Sequence, residues 1–177
     1  MRCGKLFRLK IKVKDKSFLL SVVLYLNESN FMARQTVLVT GASRGIGRAT
    51  ALRCLEDGLE VIGLSTKARN DLPWPHYGVD LANSSSKAQL QDIITKHRPC
   101  RFVGNAGILI SGRLEDVGSA DFDRLMRINL FSLMETANLF LPVWKDEKFG
   151  RVVFVGSRAA LGKENRVLYG ASKAGVT

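Results

Sequence analysis

Two side chains capable of acid–base chemistry lie four positions apart, Tyr169 and Lys173. On a helix, this spacing places both on one face. A phenol in water titrates near pH 10, so it is a poor base at neutral pH unless a neighbouring ammonium stabilises the phenolate. The pair is therefore a candidate general acid/base with its own activating group. Taken alone, Tyr169 would be interpreted as a surface tyrosine.

Two further polar residues are candidates for the same chemistry. Ser157 follows the apolar run Arg151–Val155, and open α/β sheets bind ligands beyond the carboxyl ends of their strands. Asn129 is embedded among apolar positions of a predicted long helix with Ser119 as its N-cap. A buried amide needs a partner, either structural or catalytic. Taken singly, Ser157 is typical of a turn and Asn129 of a structural amide.

A glycine-rich turn, Thr40–Gly47, organises the first half of the chain. The run Thr36–Val39 predicts a buried parallel strand before it, and helical spacing of apolar residues predicts a helix after it. Gly41 permits a tight turn, Gly45 lets the backbone approach a pyrophosphate, and Gly47 lets the helix pack close to the sheet. The free backbone amides and the helix dipole at the N-terminus of this helix favour binding of a phosphate group. The pattern predicts the first turn of a nucleotide-binding βαβ unit.

The next predicted strand, Glu60–Leu64, bears on the choice of cofactor. In dinucleotide sites an acid at this strand end binds the ribose hydroxyls, whereas a basic group accommodates a 2′-phosphate. Here Ser65 and Thr66 follow without an acid. Lys67 and Arg69 come next, and Arg44 adds a positive charge in the glycine turn. We predict NADP(H) in preference to NAD(H); the alternative is that Lys67 and Arg69 are ordinary loop charges.

Small and polar residues at two later strand ends extend the predicted cofactor site. Asp80 is placed to accept a hydrogen bond from an adenine amino group, or to cap the next helix, predicted over Ser84–Lys96. The segment Gly104–Gly107 follows a further strand, and its small residues let the backbone pass close to a cofactor. Asn105 is suited to tie neighbouring strands together.

Together, these motifs resemble the short-chain dehydrogenase/reductase family, especially 3-oxoacyl-carrier-protein reductases and small carbonyl reductases. The resemblance runs from about residue 34 to the end of the sequence. It rests on the order and spacing of Thr40–Gly47, Asp80, Gly104–Gly107, Asn129, Ser157, and Tyr169 with Lys173. Two departures from the family pattern, at Gly104 and Gly156, remove no catalytic group.

The resemblance implies hydride transfer between a nicotinamide and a small carbonyl or alcohol. It assigns Tyr169 as general acid/base, Ser157 to the substrate oxygen, Lys173 to the tyrosine and the ribose, and Asn129 to a proton-relay water. The predicted cofactor-binding residues are Gly41, Ser43, Arg44, Gly45, Ile46, Gly47, Lys67, Asp80, Asn105, Ala106, Gly107, Tyr169 and Lys173. No metal site is predicted.

The expected fold is α/β, a Rossmann-like doubly wound parallel sheet that is incomplete. Members of the family continue past the position of Thr177 with further strands and a helix. We therefore expect the strand Val152–Val155 to lack a neighbour on one side and Lys173 to be poorly fixed. The predicted reductase activity is then impaired, and the alternative function is a catalytically silent nucleotide-binding or subunit-association module.

Residues 1–31 stand apart from this pattern. They hold seven Lys/Arg and two acids, a net charge of +5, and leave +6 of the total +11 for the rest of the chain. The basic and apolar residues of Arg8–Lys14 alternate, as in a strand. We predict a basic non-core extension over 1–31, with Met32 as a natural start, and a cofactor-binding domain over 32–177. A targeting signal is the alternative for the extension.

Composition bears on the partners and the cellular location of the protein. The charges beyond residue 31 are scattered among acids, which does not favour a nucleic-acid surface. No apolar run reaches the roughly 20 residues of a membrane span. Three widely spaced cysteines suggest reduced thiols and a cytoplasmic location. A homo-oligomer is expected to be possible, since members of the resembled family often pair through the helices that hold Asn129 and Tyr169.

Overall fold

A seven-stranded sheet forms the centre of the protein, in the order β1-β2-β7-β6-β3-β4-β5. We describe a computed structural model for residues 6–13, 16–25 and 35–177, with side chains from residue 35 onward. The predicted start at Met32 and most of the predicted domain boundary lie outside these residues. The strands are β1 (Leu6–Val13), β2 (Lys16–Tyr25), β3 (Thr36–Thr40), β4 (Glu60–Ser65), β5 (His76–Gly78), β6 (Arg101–Gly104) and β7 (Gly150–Val155).

Five of the strands, β3 to β7, are parallel and confirm the doubly wound prediction. From β3 the sheet grows through β4 and β5 on one side and through β6 and β7 on the other. The order therefore reverses between β3 and β6, where open α/β sheets form their ligand crevice. The helices are α1 (Gly45–Glu56), α2 (Ser86–His97), α3 (Ser119–Met126), α4 (Ser132–Glu147) and α5 (Val167–Ala174).

The core lies on both faces of the sheet, as the uninterrupted apolar strands predict. Leu38 of β3 packs into a cluster that includes Phe102 and Phe140, on the side of α2 and α4. Its neighbours Val37 and Val39 point to the other face, into a cluster with Ala51 of α1. Alternation along one strand thus feeds two helix layers. No helix in the described part of the chain is long and apolar enough to cross a membrane.

The prediction that the strand at Val152–Val155 lacks a neighbour is wrong. Strand β7 pairs with β6 on one side and antiparallel with β2 on the other, with Leu20 opposite Val155 and Tyr25 opposite Gly150. The alternating segment at Arg8 does form a strand, β1, and it pairs with β2. Backbone hydrogen bonds from residues 20–25 thus occupy the edge expected to be open. The division between 1–31 and 32–177 stays a prediction.

The long helix expected after Gly118 is interrupted. Gly118, not Ser119, is the N-cap of α3, and a π-helical segment, Arg127–Phe131, separates α3 from α4. The Ser132 hydroxyl donates to the Ile128 carbonyl at 2.6 Å within this wider turn. π-helical insertions change which side chains face inward and are frequent at functional sites. Here the insertion holds Asn129, which is fully buried.

Candidate cofactor cleft and active site

The crevice between β3 and β6 is held together by Thr40 and Asn105. The fully buried Thr40 hydroxyl accepts hydrogen bonds from the backbone amides of Asn105 and Ala106, both at 3.0 Å. The Asn105 side-chain amide donates back to the Thr40 carbonyl at 3.0 Å. Asn105 therefore ties the two strands together as predicted. The contribution of Thr40 was missed, because a threonine at a strand end carries no signal of its partner 65 positions away.

The glycine turn is packed too tightly for side chains at two positions. Gly41 has a φ of +68°, which favours glycine, and an added Cβ would lie 2.7 Å from the Asn105 side-chain nitrogen. At Gly47 an added Cβ would lie 2.2 Å from the Gly41 carbonyl oxygen and 2.4 Å from the same Asn105 nitrogen. Gly47 thus allows the first turn of α1 to approach the strand end, as predicted.

A cleft of about 450 Å³ opens above this turn. Nine predicted cofactor-binding residues line it: Gly41, Ser43, Arg44, Gly45, Ile46, Asp80, Asn105, Ala106 and Gly107. Ser65 and Thr66 at the end of β4 line it too. Lys67 does not; it lies on the exposed turn that follows them. Nine of the thirteen predicted dinucleotide residues therefore come together in one crevice, whereas Gly47 and Lys67 do not line it and Tyr169 and Lys173 line a second cavity.

Asp80 does not cap the next helix. Its carboxylate accepts the backbone amide of Ala82 at 3.0 Å, and helix α2 begins only at Ser86. The Asn83 side chain accepts the amide of Ser85 at 3.0 Å, so a local turn takes the place of the predicted cap. This part of the Asp80 prediction is wrong. Its exposed carboxylate lies on the wall of the cleft.

The positive charge of Arg69 is offset by an acid that sequence reasoning missed. Asp71 makes a two-pronged ion pair with the Arg69 guanidinium, with one N–O distance of 2.9 Å. That hydrogen bond lowers the pKa of Asp71 to about 2. Arg69 also donates to the Ser43 carbonyl of the glycine turn at 3.5 Å. The pair therefore braces this end of the cleft but adds little net charge to it.

A second cavity of about 160 Å³ contains three of the four predicted catalytic residues, Ser157, Tyr169 and Lys173. Lys173 is only 4% exposed, and its ammonium donates to the Val155 carbonyl at 2.7 Å. Burial lowers the pKa of Lys173 to about 8. Its Nζ lies 6.0 Å from the centre of the Tyr169 ring, so the cation faces the phenol ring as the four-residue spacing predicts.

Ser157 lies directly beyond the end of β7. Its hydroxyl oxygen accepts the amide of Ala159 at 3.2 Å, at the start of the 3₁₀ turn Arg158–Leu161. Because the hydroxyl acts as acceptor in that bond, its proton remains available for donation to another group.

Asn129 lines neither cavity. Its side-chain oxygen accepts the Ile108 amide at 2.8 Å, and its nitrogen donates to the Ile108 carbonyl at 2.9 Å and to the Ser172 hydroxyl at 3.1 Å. Ser172 in turn donates to the Tyr169 carbonyl at 2.9 Å. The amide thus connects the cleft wall at Ile108 to the helix that carries Tyr169. Ser172, another residue that sequence reasoning missed, relays this connection.

The comparisons with known proteins identify the family. The model of the short chain dehydrogenase family matches residues 35–177. The chain belongs to the short-chain dehydrogenase family. The sequence resemblance is thereby confirmed, and the family is one of nicotinamide-dependent oxidoreductases. Among residues 35–177, no three His, Cys, Asp or Glu side chains are grouped as metal ligands.

Individual relatives agree with this assignment. A 3-oxoacyl-(acyl-carrier-protein) reductase, FabG, of Buchnera aphidicola is 33% identical over 154 residues, which cover 81% of this chain and 63% of that protein. The ligand-free aldohexose dehydrogenase of Thermoplasma acidophilum superposes with a TM-score of 0.75 at 30% identity, covering 81% of this chain and 57% of its own. A 4-hydroxyisoleucine dehydrogenase complexed with NADH gives 0.72 at 25% identity, covering 78% and 63%. The chain thus spans about three fifths of the length of these proteins.

Gly47→Ala is expected to weaken both the fold and cofactor binding. Alanine in a helix is worth about 1 kcal/mol more than glycine, but overpacking against a fixed backbone costs about 1–3 kcal/mol. Because the added Cβ would meet the Gly41 carbonyl at 2.2 Å, we expect the cost to dominate. The free energy of unfolding in urea should fall by about 1–2 kcal/mol. The NADPH dissociation constant should rise about tenfold, as measured by fluorescence titration.

Gly118→Ala is the matched control, because an added Cβ there has no heavy atom within 4 Å among the described residues. It should leave the NADPH affinity nearly unchanged and lower the free energy of unfolding by no more than about 1 kcal/mol, because Gly118 is the N-cap of α3 and alanine is a weaker N-cap than glycine. Unaltered stability and NADPH affinity in Gly47→Ala would show that the turn relaxes freely and does not need the close approach.

Proposed function

We propose that the protein binds NADP(H) in the cleft between β3 and β6 and interconverts a carbonyl and an alcohol in the adjoining cavity. The observation that carries this proposal is the continuity of the two spaces. Both are lined by Ile46, Asn105, Gly107 and Ile108. A dinucleotide that lies along the glycine turn would therefore place its nicotinamide beside Ser157 and Tyr169.

The residues of the cleft fit a dinucleotide. Gly45 begins α1 and lines the cleft, and an added Cβ there would lie in open space. Free amides at this helix end favour the negative charge of a pyrophosphate. We assign the Asp80 carboxylate, which is exposed on the cleft wall, to the adenine amino group. When bound, the nicotinamide supplies or accepts the hydride.

The preference for NADP(H) rests on the charges of this chain. The end of β4 carries no acid to bind a ribose 2′-hydroxyl, and Arg44 is exposed on the cleft wall. Lys67 lies on the neighbouring exposed turn. The structural neighbour with NADH is an instance of the other cofactor within the same fold. The preference therefore depends on local residues and not on the fold.

The chain's own residues handle the proton. In the direction of reduction, Tyr169 donates its proton to the carbonyl oxygen, and the Ser157 hydroxyl donates a hydrogen bond to the same oxygen. Lys173, in its ammonium form below about pH 8, stabilises the resulting phenolate. Asn129 acts indirectly, because its three hydrogen bonds hold Ile108 and α5 in position.

A paired titration and turnover assay tests this proposal. NADPH and NADH are titrated separately by fluorescence, and each is then oxidised in the presence of a 3-oxoacyl thioester, a simple ketone and an aldehyde. We expect an NADPH dissociation constant at least about tenfold below that of NADH, and turnover of at least one carbonyl. Equal or tighter NADH binding would contradict the cofactor preference. Cofactor binding without turnover would favour the silent nucleotide-binding module, and self-association and cellular location stay predictions.

A further inference from the structure

The His76 side chain holds both ends of the turn that carries Lys67 and Arg69. The residue lies at the start of β5 and is 9% exposed. The Nδ1 atom accepts the backbone amide of Arg69 at 3.1 Å. The Nε2 atom lies 3.1 Å from the Ser65 hydroxyl, which itself donates to the Lys67 carbonyl at 3.0 Å. One imidazole therefore joins the first and last residues of the turn 65–69.

These bonds select one form of the imidazole. Because the Ser65 proton is donated to Lys67, the Nε2 atom must carry the proton that it shares with Ser65. Because the Arg69 amide donates to Nδ1, that atom must be unprotonated. His76 is therefore neutral, with its proton on Nε2.

The last residue of β5 and the residue that follows it also hold the turn through their backbone. The Val79 amide donates to the Ser65 carbonyl at 2.7 Å. An added Cβ at Gly78 would lie 2.8 Å from the Ala68 nitrogen, so the turn lies directly on this glycine. The backbone of the turn thus rests on Gly78 and Val79, while the His76 ring determines where the two ends of the turn lie.

We infer that neutral His76 is a positioning residue for cofactor choice, because it holds the turn from which the exposed Lys67 would meet the 2′-phosphate of NADP(H). The inference rests on the proposed function. It extends that proposal from the basic side chain that selects the cofactor to the His76 imidazole that positions it. Ser65 and Thr66 line the cleft, and Arg69 reaches the glycine turn at Ser43. A change at the imidazole is therefore transmitted to the adenosine end of the cleft and not to Tyr169.

Protonation of His76 would break this arrangement. Imidazolium has a donor on both nitrogens, so Nδ1–H would face the Arg69 N–H without an acceptor. The charged groups facing the ring are Arg69 and Asp71; Arg48 of α1 acts on Asp71, and the β4 neighbours Gly63 and Ser65 are uncharged. Burial and then Arg69 lower the pKa of His76, whereas Asp71 raises it. The turn is therefore held at neutral pH and released in acid.

The test compares wild type with His76→Leu, which loses both bonds, and His76→Asn, whose side-chain oxygen retains an acceptor near Nδ1. NADPH and NADH affinities are measured for each between pH 5.5 and 7.5. We expect His76→Leu to raise the NADPH dissociation constant about tenfold and the NADH constant less than twofold, with His76→Asn in between. The NADPH/NADH discrimination of wild type should also fall in acid more steeply than that of His76→Leu. Titration of the 2′-phosphate is common to all three proteins and cancels in this comparison.

Amide hydrogen exchange gives a readout independent of the cofactor. The Arg69 amide should be protected in wild type at pH 7 and exchange at least about tenfold faster in His76→Leu, while β4 amides stay protected. Wild type without a preference for NADPH would overturn the proposed cofactor and this inference together. A normal preference in wild type that persists in His76→Leu would overturn the inference alone. If His76→Leu does not fold, the test uses the cofactor affinities of His76→Asn and the amide exchange of wild type. An Arg69 amide that is unprotected in wild type at pH 7 would overturn the inference.

Discussion

Replacement of Tyr169 by phenylalanine is expected to lower kcat for carbonyl reduction by about 10³, because positioned acid–base catalysis contributes about 10²–10⁴. The ring stays in place beside Lys173 and only the hydroxyl is lost. We therefore expect the NADPH dissociation constant to stay within about twofold of wild type. Steady-state turnover with a carbonyl that the wild type reduces in the assay proposed above, together with NADPH titration, measures both effects.

Tyr77→Phe is the matched control for this substitution. Its hydroxyl is paired with His97 Nε2 at 2.7 Å, on the side of the sheet where α2 packs. Its loss should lower stability by about 1 kcal/mol and leave kcat unchanged. Tyr169→Phe with wild-type turnover would exclude the phenol as the proton donor. Equal losses of kcat in both variants would indicate a general effect on the fold.

The first half of the site was predictable because its requirements are local. The glycine turn needs a strand before it, a helix after it and no side chain at Gly41 or Gly47, and all of this is visible within about twenty residues of sequence. The pairing of Tyr169 with Lys173 is equally local, since four positions make one helical turn. Structure and sequence therefore agree where neighbours in the chain are neighbours in space.

Prediction failed where a partner comes from far along the chain. Nothing near Val152–Val155 indicates that residues 20–25 would pair with it, because β-ladder registers are non-local. Asn129 was recognised as an amide in need of a partner, but Ile108 and Ser172 are 21 and 43 positions away. Arg69 is an exception to this rule: a charge count overestimated it although its missed partner, Asp71, is only two positions away. The sequence shows that a buried amide needs a hydrogen-bond partner, but it does not show which distant residue provides that partner.

The buried ammonium of Lys173 is expected to make stability depend on pH. Its pKa is about 8 in the folded protein against 10.5 for an ordinary lysine, so between these values the unfolded chain binds the proton more tightly. The free energy of unfolding should then rise with pH from about 8 to 10.5, by about 3 kcal/mol for this group. Below pH 8 the cost of burying the charge is fully present. Urea unfolding of wild type and Lys173→Met between pH 7 and 10.5 measures the effect.

The difference between the two proteins isolates the lysine, because all other titrations occur in both. The free energy of unfolding of Lys173→Met minus that of wild type should therefore fall by about 3 kcal/mol as pH rises through this window. The lost hydrogen bond to Val155 is a constant offset and does not alter the slope. Tyr169 lies beside the ammonium, so its own titration could contribute to the difference. The comparison of Lys173 with Lys173→Met is therefore repeated in proteins that also carry Tyr169→Phe, and the same dependence of the difference on pH is expected. A difference that stays flat from pH 7 to 10.5 would show that Lys173 is hydrated in solution, and the close ammonium–phenol arrangement proposed for catalysis would lose its support.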